Sequence, residues 1–468
     1  MSPAAIEVNG SPVPELKRQL AFYGTLIHCL SSAKVEIIDR GLLLVDTHGK
    51  IANLHKDVSK DRIDALISAE GWELNFVAVT ILKRGSFIVP GFIDTHNHAP
   101  QWTQRGTGRG HIIMDWLNKT TFPHEARFSD TIYAEKTYAA CVDGFIKQGV
   151  TTACYYGSLH GEATKILAQK CLQKGQRAYV GKCNMNRNAP DYYRDASAEE
   201  SLAVTEDFIA FAAKLDPHRE LITPILTPRF AVACDADVLS GLGKIAAKDP
   251  TLPIQTHFNE TPQEMEITKL LFPEFGNESD LYEHFGLLNS RSVLAHCIYM
   301  DEYDMSRLEH LQCGISHCPV SNITSGSFGV APIREYLRRD MKVGLGTDSG
   351  GGYSSSIIDA MRQAFVVSNA RKLMPDYDAA KDKPLSYFET FYLATLGGAR
   401  VCNLEDKIGN FIVGKDFDAL EIHTIGDDAG IITLVEDIDT TADMLEKFIM
   451  SGDDRNIARV FVKGRSIK

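Results

Sequence analysis

Residues 87–98 read Phe-Ile-Val-Pro-Gly-Phe-Ile-Asp-Thr-His-Asn-His, an apolar run that leads into two histidines, His96 and His98. On an extended strand, residues two apart project from the same face, so both imidazoles can point at one metal ion. Taken alone, the pair could also be two solvated histidines in a turn. The metal site is the better interpretation because three other apolar segments end in a comparable side chain.

These three segments end in His257, His296 and Asp348. Each segment is short and apolar, which is typical of strands buried on both faces in a parallel sheet covered by helices. The chemically active side chain always follows the strand, and in a (β/α)8 barrel the carboxyl ends of the strands form the catalytic face. The segments read Leu252-Pro-Ile-Gln-Thr-His257, Ser292-Val-Leu-Ala-His296 and Lys342-Val-Gly-Leu-Gly-Thr-Asp348.

Strand-like and helix-like segments alternate across residues 86–402, which predicts an α/β domain of the (β/α)8 TIM-barrel type. An open doubly wound sheet is the alternative, but such a sheet usually carries a glycine-rich phosphate turn after its first strand. Strands are predicted to begin at Phe87, Thr151, Ala178, Leu221, Ile254, Val293, Ile315 and Val343. Helices are predicted at Ile132–Lys147, Ala198–Leu215, Asp235–Lys248, Met300–Leu311 and Pro332–Arg339.

The flanks of the chain have a different pattern. Short runs of alternating apolar and polar residues, such as Val35-Glu-Ile-Ile-Asp and Arg459-Val-Phe-Val-Lys, are typical of half-buried strands. Residues 1–85 and 403–468 are therefore predicted to form the two parts of one small β-sandwich domain beside the barrel.

Composition narrows the class of protein. The chain has 468 residues, with 44% hydrophobic and 24% charged residues, which is ordinary for a globular enzyme. A net charge of −12 argues against a nucleic-acid surface, since phosphate binding needs clustered Lys and Arg. No segment has the length and apolar character of a signal peptide or a membrane span. The ten cysteines include no Cys-x-x-Cys pair, which favours a reducing, cytoplasmic location.

A set of three histidines and one aspartate is suited to Zn2+ or Fe2+ and leaves a coordination position open for water. The sequence has four candidate histidines, His96, His98, His257 and His296, and the residues alone do not show which three of them are ligands. Glu260 follows His257 by three positions and is suited to carrying a proton between water and substrate. An alternative role for Glu260 is a helix N-terminal charge, since a helix is predicted from Thr261, and the two roles are compatible.

Arg229 and Phe230 follow the segment that begins at Leu221. Arginine presents a planar fork of donors and phenylalanine an aromatic face, so the pair suits a flat heterocycle with carbonyl and ring-nitrogen acceptors. A salt bridge at the barrel rim plus a core aromatic is an equally good interpretation of these two residues.

Several longer motifs resemble those of the amidohydrolase superfamily over nearly the whole chain. They are Pro90-Gly-Phe-Ile-Asp-Thr-His-x-His98, the positions of His257, His296 and Gly346-Thr-Asp348, and Gly409-x-Phe-x-x-Gly-Lys-Asp-Phe-Asp-Ala419. More narrowly, His98-Ala-Pro-Gln101, Trp116-Leu with Thr121-Phe-Pro, Thr227-Pro-Arg-Phe230 and His317-Cys-Pro-x-Ser-Asn322 are similar to the guanine deaminase family.

The resemblance implies hydrolysis of guanine at C2 to xanthine and ammonia, by a cytoplasmic homodimer with no nucleic-acid or membrane partner. It implies one Zn2+ per chain, with Fe2+ as the alternative; the absence of lysine between Leu221 and Phe230 also favours a single metal. The implied roles are metal binding by His96, His98, His257 and Asp348, purine binding by Gln101, Arg229 and Phe230, and catalysis by Glu260, His296 and Asp348.

Two other functions are consistent with the sequence. One is an enzyme that deaminates or dechlorinates another aminated heterocycle, such as a triazine, a pterin or 8-oxoguanine. The other is a non-catalytic scaffold, which is disfavoured because every expected ligand and Glu260 are present. The glycines of Gly344-Leu-Gly-Thr-Asp-Ser-Gly350 lack the Lys-Ser/Thr pair of a phosphate loop, so their expected role is to let this loop approach the substrate closely.

Overall fold

The structure, a computed structural model, describes residues 16–325, 328–375, 377–379, 381–426 and 432–468. Residues 1–15, part of the stretch for which no signal peptide is predicted, lie outside this range. Among the described helices, none combines the length and hydropathy that crossing a bilayer requires.

The strands fall into one large mixed sheet and three smaller parallel sheets. In chain order, the strands of the described residues are β1 (Gln19–Ser31), β2 (Lys34–Val45), β3 (Ile51–His55), β4 (Val77–Ile81), β5 (Ser86–Pro90), β6 (Phe92–His98), β7 (Val150–Tyr156), β8 (Arg177–Gly181), β9 (Cys183–Asn184), β10 (Ile222–Pro224), β11 (Thr227–Pro228), β12 (Ile254–Phe258), β13 (Ser292–His296), β14 (Gly314–His317), β15 (Lys342–Leu345), β16 (Ala419–His423), β17 (Ile457–Val462) and β18 (Arg465–Ser466).

The mixed sheet has eight strands in the order β18-β17-β16-β5-β1-β2-β3, with β4 also paired to β1. Strands from both ends of the chain therefore share one sheet, as the sequence pattern predicts. These strands are joined in one continuous hydrogen-bonded sheet. The cause is β1, which shifts register between Gly24 and Leu26 and so pairs with β4 along its first half and β5 along its second.

The apolar run at residues 87–93 forms two strands rather than the single predicted one. Strand β5 pairs with β1 and β16 in the mixed sheet, whereas β6 pairs with β7 in a parallel sheet. The chain passes between them at Gly91, where a Cβ atom would lie 2.1 Å from Oγ1 of Thr151. Only a residue without a side chain fits at this crossing. The other seven predicted strand starts lie within one residue of an observed start.

The parallel sheets have the orders β10-β8-β7-β6, β11-β9 and β12-β13-β14-β15. A parallel bridge from Leu226 to Ile254 connects the β10–β11 segment with β12. At the other side, Thr95 of β6 donates a hydrogen bond to the carbonyl of Leu345 at the end of β15, at 2.9 Å. The carboxyl ends of β6, β12, β13 and β15 consequently meet on one face of the molecule.

Helices cover the outside of the parallel strands, and many begin at a side-chain cap. Helix α6 has the predicted bounds, and the Ser197 side chain accepts a hydrogen bond from the backbone N–H of Glu200 at its start. The described α-helices are α1 (Ile63–Ala69), α2 (Ile113–Trp116), α3 (Phe122–Glu125), α4 (Thr131–Lys147), α5 (Gly161–Lys174), α6 (Ala198–Leu215), α7 (Ala236–Lys248), α8 (Pro262–Leu271), α9 (Glu278–His284), α10 (Glu302–Leu311), α11 (Pro319–Thr324), α12 (Ile333–Arg338), α13 (Ile357–Ala370), α14 (Tyr387–Tyr392), α15 (Gly398–Val401) and α16 (Thr441–Ser451).

Candidate active site

Five buried side chains meet where the parallel strands end. His96 and His98 lie on β6, His257 lies near the end of β12, His296 is the last residue of β13, and Asp348 follows β15 by three residues. All five are less than one-tenth exposed. The side chains that the sequence predicts as metal ligands or catalytic groups are therefore brought together.

The donor atoms of these side chains are close to one another. Nε2 of His98 lies 3.1 Å from Nε2 of His257. Oδ1 of Asp348 lies 3.4 Å from Nε2 of His96 and 3.5 Å from Nε2 of His98. Two groups, His96 with His257 and His296, and His96 with His98 and Asp348, each have their ligand atoms within 4.8 Å of one another. Together these two groups contain all five residues.

The cluster has the chemistry of a metal site. The buried Nε2 atoms of His96 and His296 have no hydrogen-bond partner among the described residues, an arrangement that is costly unless a ligand completes it. Burial lowers the pKa of His98 and of His257 well below the ordinary value, so both imidazoles are neutral at pH 7, as metal ligation requires. Imidazole nitrogens with one carboxylate are a ligand set suited to a divalent metal ion such as Zn2+ or Fe2+.

Hydrogen bonds outside the cluster orient two of the imidazoles. Nδ1 of His257 lies 2.5 Å from the backbone carbonyl oxygen of Arg229, which can only accept a hydrogen bond. Nδ1 therefore carries the proton, and the lone pair of Nε2 faces the cluster. Nδ1 of His296 lies 2.9 Å from Oδ1 of Asn322 and is oriented in the same way.

The backbone is strained at the same place. His296, Asp348 and Asn259 have φ angles of 75°, 42° and 45°, in the left-handed region that residues with side chains rarely adopt. Each such residue costs about 1–3 kcal/mol, and such strain is concentrated at functional sites. A hydrogen bond of 2.9 Å from the backbone N–H of Asp348 to the carbonyl of His96 ties this strained loop to β6.

A pocket opens over the cluster. His98, His257, His296 and Asp348 form part of its wall, with Glu260 beside them. The apolar part of the wall consists of Ile113, Trp116, Leu117 and Phe230. A pocket with an apolar wall and a few polar groups is typical of small-molecule sites.

Glu260 lies between β12 and α8, with only 5% of its surface exposed. Its Oε2 atom lies 3.7 Å from Nε2 of His296. Helix α8 begins at Pro262 with Thr261 as its N-cap and Glu264 completing a capping box. The Glu264 carboxylate also accepts a hydrogen bond of 2.8 Å from the backbone N–H of Glu260. The helix start thus fixes the backbone that carries the Glu260 side chain into the cavity.

Gln101 and Arg229 also line the cavity and are linked by a residue that the sequence analysis did not single out, Glu125. The Glu125 carboxylate accepts hydrogen bonds from Nε2 of Gln101 at 2.7 Å and from Nη1 of Arg229 at 2.8 Å. Arg229 therefore forms a salt bridge, as one interpretation of the sequence holds, but the bridge is buried rather than on the rim. Burial opposes the charge of Arg229, yet the Glu125 carboxylate raises its pKa above the ordinary value.

Three other buried residues, His317, Cys297 and Cys318, lie at or just after the ends of β13 and β14. His317 is buried at the end of β14, and its Nδ1 has no hydrogen-bond partner in the described part of the chain. Cys297 and Cys318 are buried, and burial raises the pKa of both thiols, which keeps them in the unreactive protonated form. The loop after Asp348 approaches Gln101 so closely that a Cβ on Gly350 would lie 2.1 Å from its Oε1 atom.

Comparisons with known proteins agree with this architecture. The guanine deaminase of Dictyostelium discoideum is 39% identical over 451 residues, which cover 96% of this chain and 98% of that protein. The guanine deaminase of Rattus norvegicus is 38% identical over 457 residues, covering 96% and 97%. A crystal structure of guanine deaminase from C. acetobutylicum with guanine bound in the active site superimposes with a TM-score of 0.85 at 32% identity, covering 96% of this chain and 100% of that one. The sequence pattern of the amidohydrolase family matches residues 87–467, and the chain belongs to that family and, within it, to the guanine deaminases.

Proposed function

We propose that this protein is a metal-dependent guanine deaminase that hydrolyses guanine to xanthine and ammonia. The observation that carries the proposal is one cavity lined by the clustered histidines, Asp348 and Glu260 together with Gln101 and Arg229. Relatives named guanine deaminase match nearly the full length of the chain, which supports the same substrate.

The residues proposed to hold the metal ion are His96, His98, His257 and Asp348, with His296 next to them facing the attacking water. Zn2+ is the proposed ion, and when bound it lowers the pKa of a water molecule to about 7, which supplies the nucleophile at neutral pH. The site is proposed to hold one ion because the strand segment from Leu221 to Phe230 has no lysine that could bridge a second one.

Substrate binding is assigned to Gln101, Arg229 and Phe230, which line the same cavity as the cluster. The guanidinium of Arg229 can donate hydrogen bonds to the carbonyl and ring-nitrogen acceptors of guanine, and the amide of Gln101 can form hydrogen bonds with the adjacent edge of the base. The ring of Phe230 lies beside the cavity and offers an apolar surface to the flat purine. These contacts would present C2 of the base to the hydrolytic groups.

Proton transfer is assigned to two carboxylates. Asp348 accepts a proton from the attacking water through its carboxylate, while Glu260 donates a proton to the ring nitrogen N3 as the water oxygen adds to C2. His296 holds the water in place through Nε2. The proton taken up by Asp348 then passes to the amino group, which leaves as ammonia, while the hydroxyl now on C2 returns its proton to Glu260 and becomes the C2 carbonyl, so that guanine and water give xanthine and ammonia and both carboxyl groups regain their initial states.

The finer architecture belongs to the same proposal. The three parallel sheets are proposed to form a closed (β/α)8 barrel over residues 86–402, supported by the Leu226–Ile254 bridge and the Thr95–Leu345 hydrogen bond. Residues 1–85 and 403–468 then supply the small β domain, although β5, within the barrel range, pairs in the mixed sheet. The homodimer and the cytoplasmic location stay predictions.

The experiment is a substrate comparison with the purified chain. Ammonia release and ultraviolet conversion to xanthine are followed for guanine, in parallel with an aminotriazine and a pterin, and metal content is determined on the same sample. We expect guanine to exceed the other compounds in kcat/KM by at least about 10²-fold, because buried polar groups penalise a mismatched substrate. Turnover of a triazine or pterin with none of guanine would overturn the proposal in favour of that substrate.

A further inference from the structure

The carboxylate of Glu125 is buried and has every acceptor position in use. It accepts hydrogen bonds from Nε2 of Gln101 at 2.7 Å, from Nη1 and Nη2 of Arg229 at 2.8 and 3.2 Å, and from the hydroxyl of Tyr193 at 2.8 Å. Glu125 and Tyr193 are 0% exposed, and Arg229 is 2% exposed. A carboxylate with two oxygens accepts about four hydrogen bonds, so this group is saturated.

Saturation by donors determines the orientation of the Gln101 amide. An ionised carboxylate can only accept hydrogen bonds, so the NH2 group of Gln101, and not its oxygen, must face Glu125. The Oε1 atom of Gln101 then points away from Glu125 and lies close to Gly350, and Gln101 is one of the residues that line the cavity. Its one hydrogen bond among the described residues is a long one of 3.3 Å, from Nε2 of Gln104. Gln101 therefore presents an acceptor to the substrate.

The Glu125 carboxylate also determines which N–H groups of Arg229 can donate hydrogen bonds to a substrate. Its Nη1 atom donates to Glu125 and to Sγ of Cys183, and its Nη2 atom donates once to Glu125. A guanidinium has five N–H groups, so Nε–H and one N–H of Nη2 have no partner within the described part of the chain. Arg229 lines the cavity and can only donate. The wall thus combines a fixed acceptor, Gln101, with fixed donors on Arg229.

We propose that Glu125 is a positioning residue that sets the substrate specificity of this site, by holding the Gln101 amide in one orientation beside Arg229. This inference rests on the proposed function. An acceptor next to a donor matches a purine that presents a ring N–H next to a carbonyl, as a 6-oxopurine does at N1 and C6. A 6-aminopurine presents a bare ring nitrogen next to an NH2 group, and both contacts become mismatched.

The isosteric variant Glu125→Gln tests this directly. The side-chain NH2 group introduced at position 125 can donate a hydrogen bond to the oxygen of the Gln101 amide. The Gln101 amide can then turn over and present its own NH2 group to the substrate. The site then no longer has the fixed hydrogen-bond acceptor that favours a 6-oxopurine over a 6-aminopurine. The preference is measured with two bases that lack the 2-amino group and so are not deaminated at C2, hypoxanthine (6-oxo) and adenine (6-amino), as competitive inhibitors and by calorimetric binding.

We expect the unaltered protein to bind hypoxanthine more tightly than adenine, and Glu125→Gln to reduce this ratio by about tenfold or more, since each lost hydrogen bond costs about 1 kcal/mol. Tyr193→Phe is the matched control, because it removes one donor to the same carboxylate but leaves both the charge and the Gln101 contact. Its ratio should stay within about threefold of the original.

If Glu125→Gln does not fold, Glu125→Asp serves instead. This variant keeps the charge, but its carboxylate is one methylene shorter and cannot reach both Gln101 and Arg229, so the binding ratio should still fall by about threefold or more. If the ratio of hypoxanthine to adenine affinity is unchanged in whichever of these two Glu125 variants folds, the inference is overturned. Failure of the unaltered protein to turn over guanine overturns the proposed function instead, so the two failures are distinguishable.

Discussion

Oε2 of Glu260 lies 3.7 Å from Nε2 of His296. Glu260 follows strand β12, and His296 is the last residue of the neighbouring parallel strand β13. Parallel pairing places Phe258 opposite His296, so a residue two positions beyond Phe258 projects over the same edge of the sheet. A carboxylate and an imidazole in this position can share a water molecule between them. This relationship connects the topology of the sheet with the proposed proton transfer.

The Glu260→Gln variant tests the proton-transfer role. Glutamine keeps the shape of the side chain but cannot donate and recover a proton, so kcat should fall by about 10²–10⁴-fold. Metal content should be unchanged, because Glu260 is outside the two groups of ligand atoms. Steady-state kinetics and metal analysis on one preparation provide the measurement, and a variant with near-normal kcat would rule out the role.

The His98→Ala variant tests the metal site. It removes one of the converging donors, so the purified variant should lose most of its metal and its activity. The exposed His310, on α10, supplies the control variant His310→Ala, which should retain both. Treatment of the unaltered protein with a chelator should abolish turnover, and Zn2+ should restore it. Full activity of the metal-free protein would contradict the proposed site.

The Gly350→Ala variant tests the close approach of the Asp348 loop. Gly350 has a φ angle of 116°, and an added Cβ would lie 2.1 Å from Oε1 of Gln101, so Gln101 must move. Displacement of a substrate-positioning group by about 1 Å should lower kcat/KM by about 10²-fold.

Gly106→Ala is the control for backbone strain. Gly106 also has a positive φ angle, 80°, but a Cβ there would meet nothing within 4 Å. This variant should lose about 1–2 kcal/mol of stability, with kcat/KM nearly unchanged. Equal losses of kcat/KM in both variants would mean that strain, and not the contact with Gln101, causes the effect.

The buried His28, on β1, predicts a pH dependence of stability. Burial is the main cause that lowers the pKa of His28 to about 4 from an ordinary value of 6.5. Below pH 6.5 the unfolded chain binds a proton that the folded protein does not, so this residue makes the protein less stable as the pH falls toward 4. Between about pH 7 and about pH 5, the unaltered protein should lose about 2 kcal/mol more unfolding free energy than His28→Gln. Denaturant titrations at the two pH values measure the difference, and parallel losses in the two proteins would contradict it.

The sequence contains enough information to place the residues of the cluster but not Glu125, which contacts Gln101 and Arg229. Each histidine of the cluster, and Asp348, lies at or just after an apolar run, so local pattern alone predicts a common face. Glu125 has no such signal, since it is 24 residues from Gln101 and 104 residues from Arg229 along the chain. Its burial beside these partners is a property of the tertiary structure.

The division of residues 87–98 into two strands was missed for a similar reason. Strand β5 and the first two residues of β6, Phe92 and Ile93, are apolar and buried, so the apolar pattern continues across the boundary and does not mark it. Their difference lies in their partners, with β5 in the mixed sheet and β6 in a parallel sheet. A single sequence carries no direct record of which strands pair. By contrast, helix α6 was predicted with its observed bounds because a capping serine and a long amphipathic run mark it locally.

The most direct test of the central claim is the conversion of guanine in water labelled with oxygen-18, with the product analysed by mass spectrometry and ammonia measured in parallel. Hydrolysis at C2 by an activated water predicts xanthine that carries one labelled oxygen and an equal amount of ammonia, both abolished in the Glu260→Gln variant. Unaltered guanine, or xanthine without the label, would contradict the account.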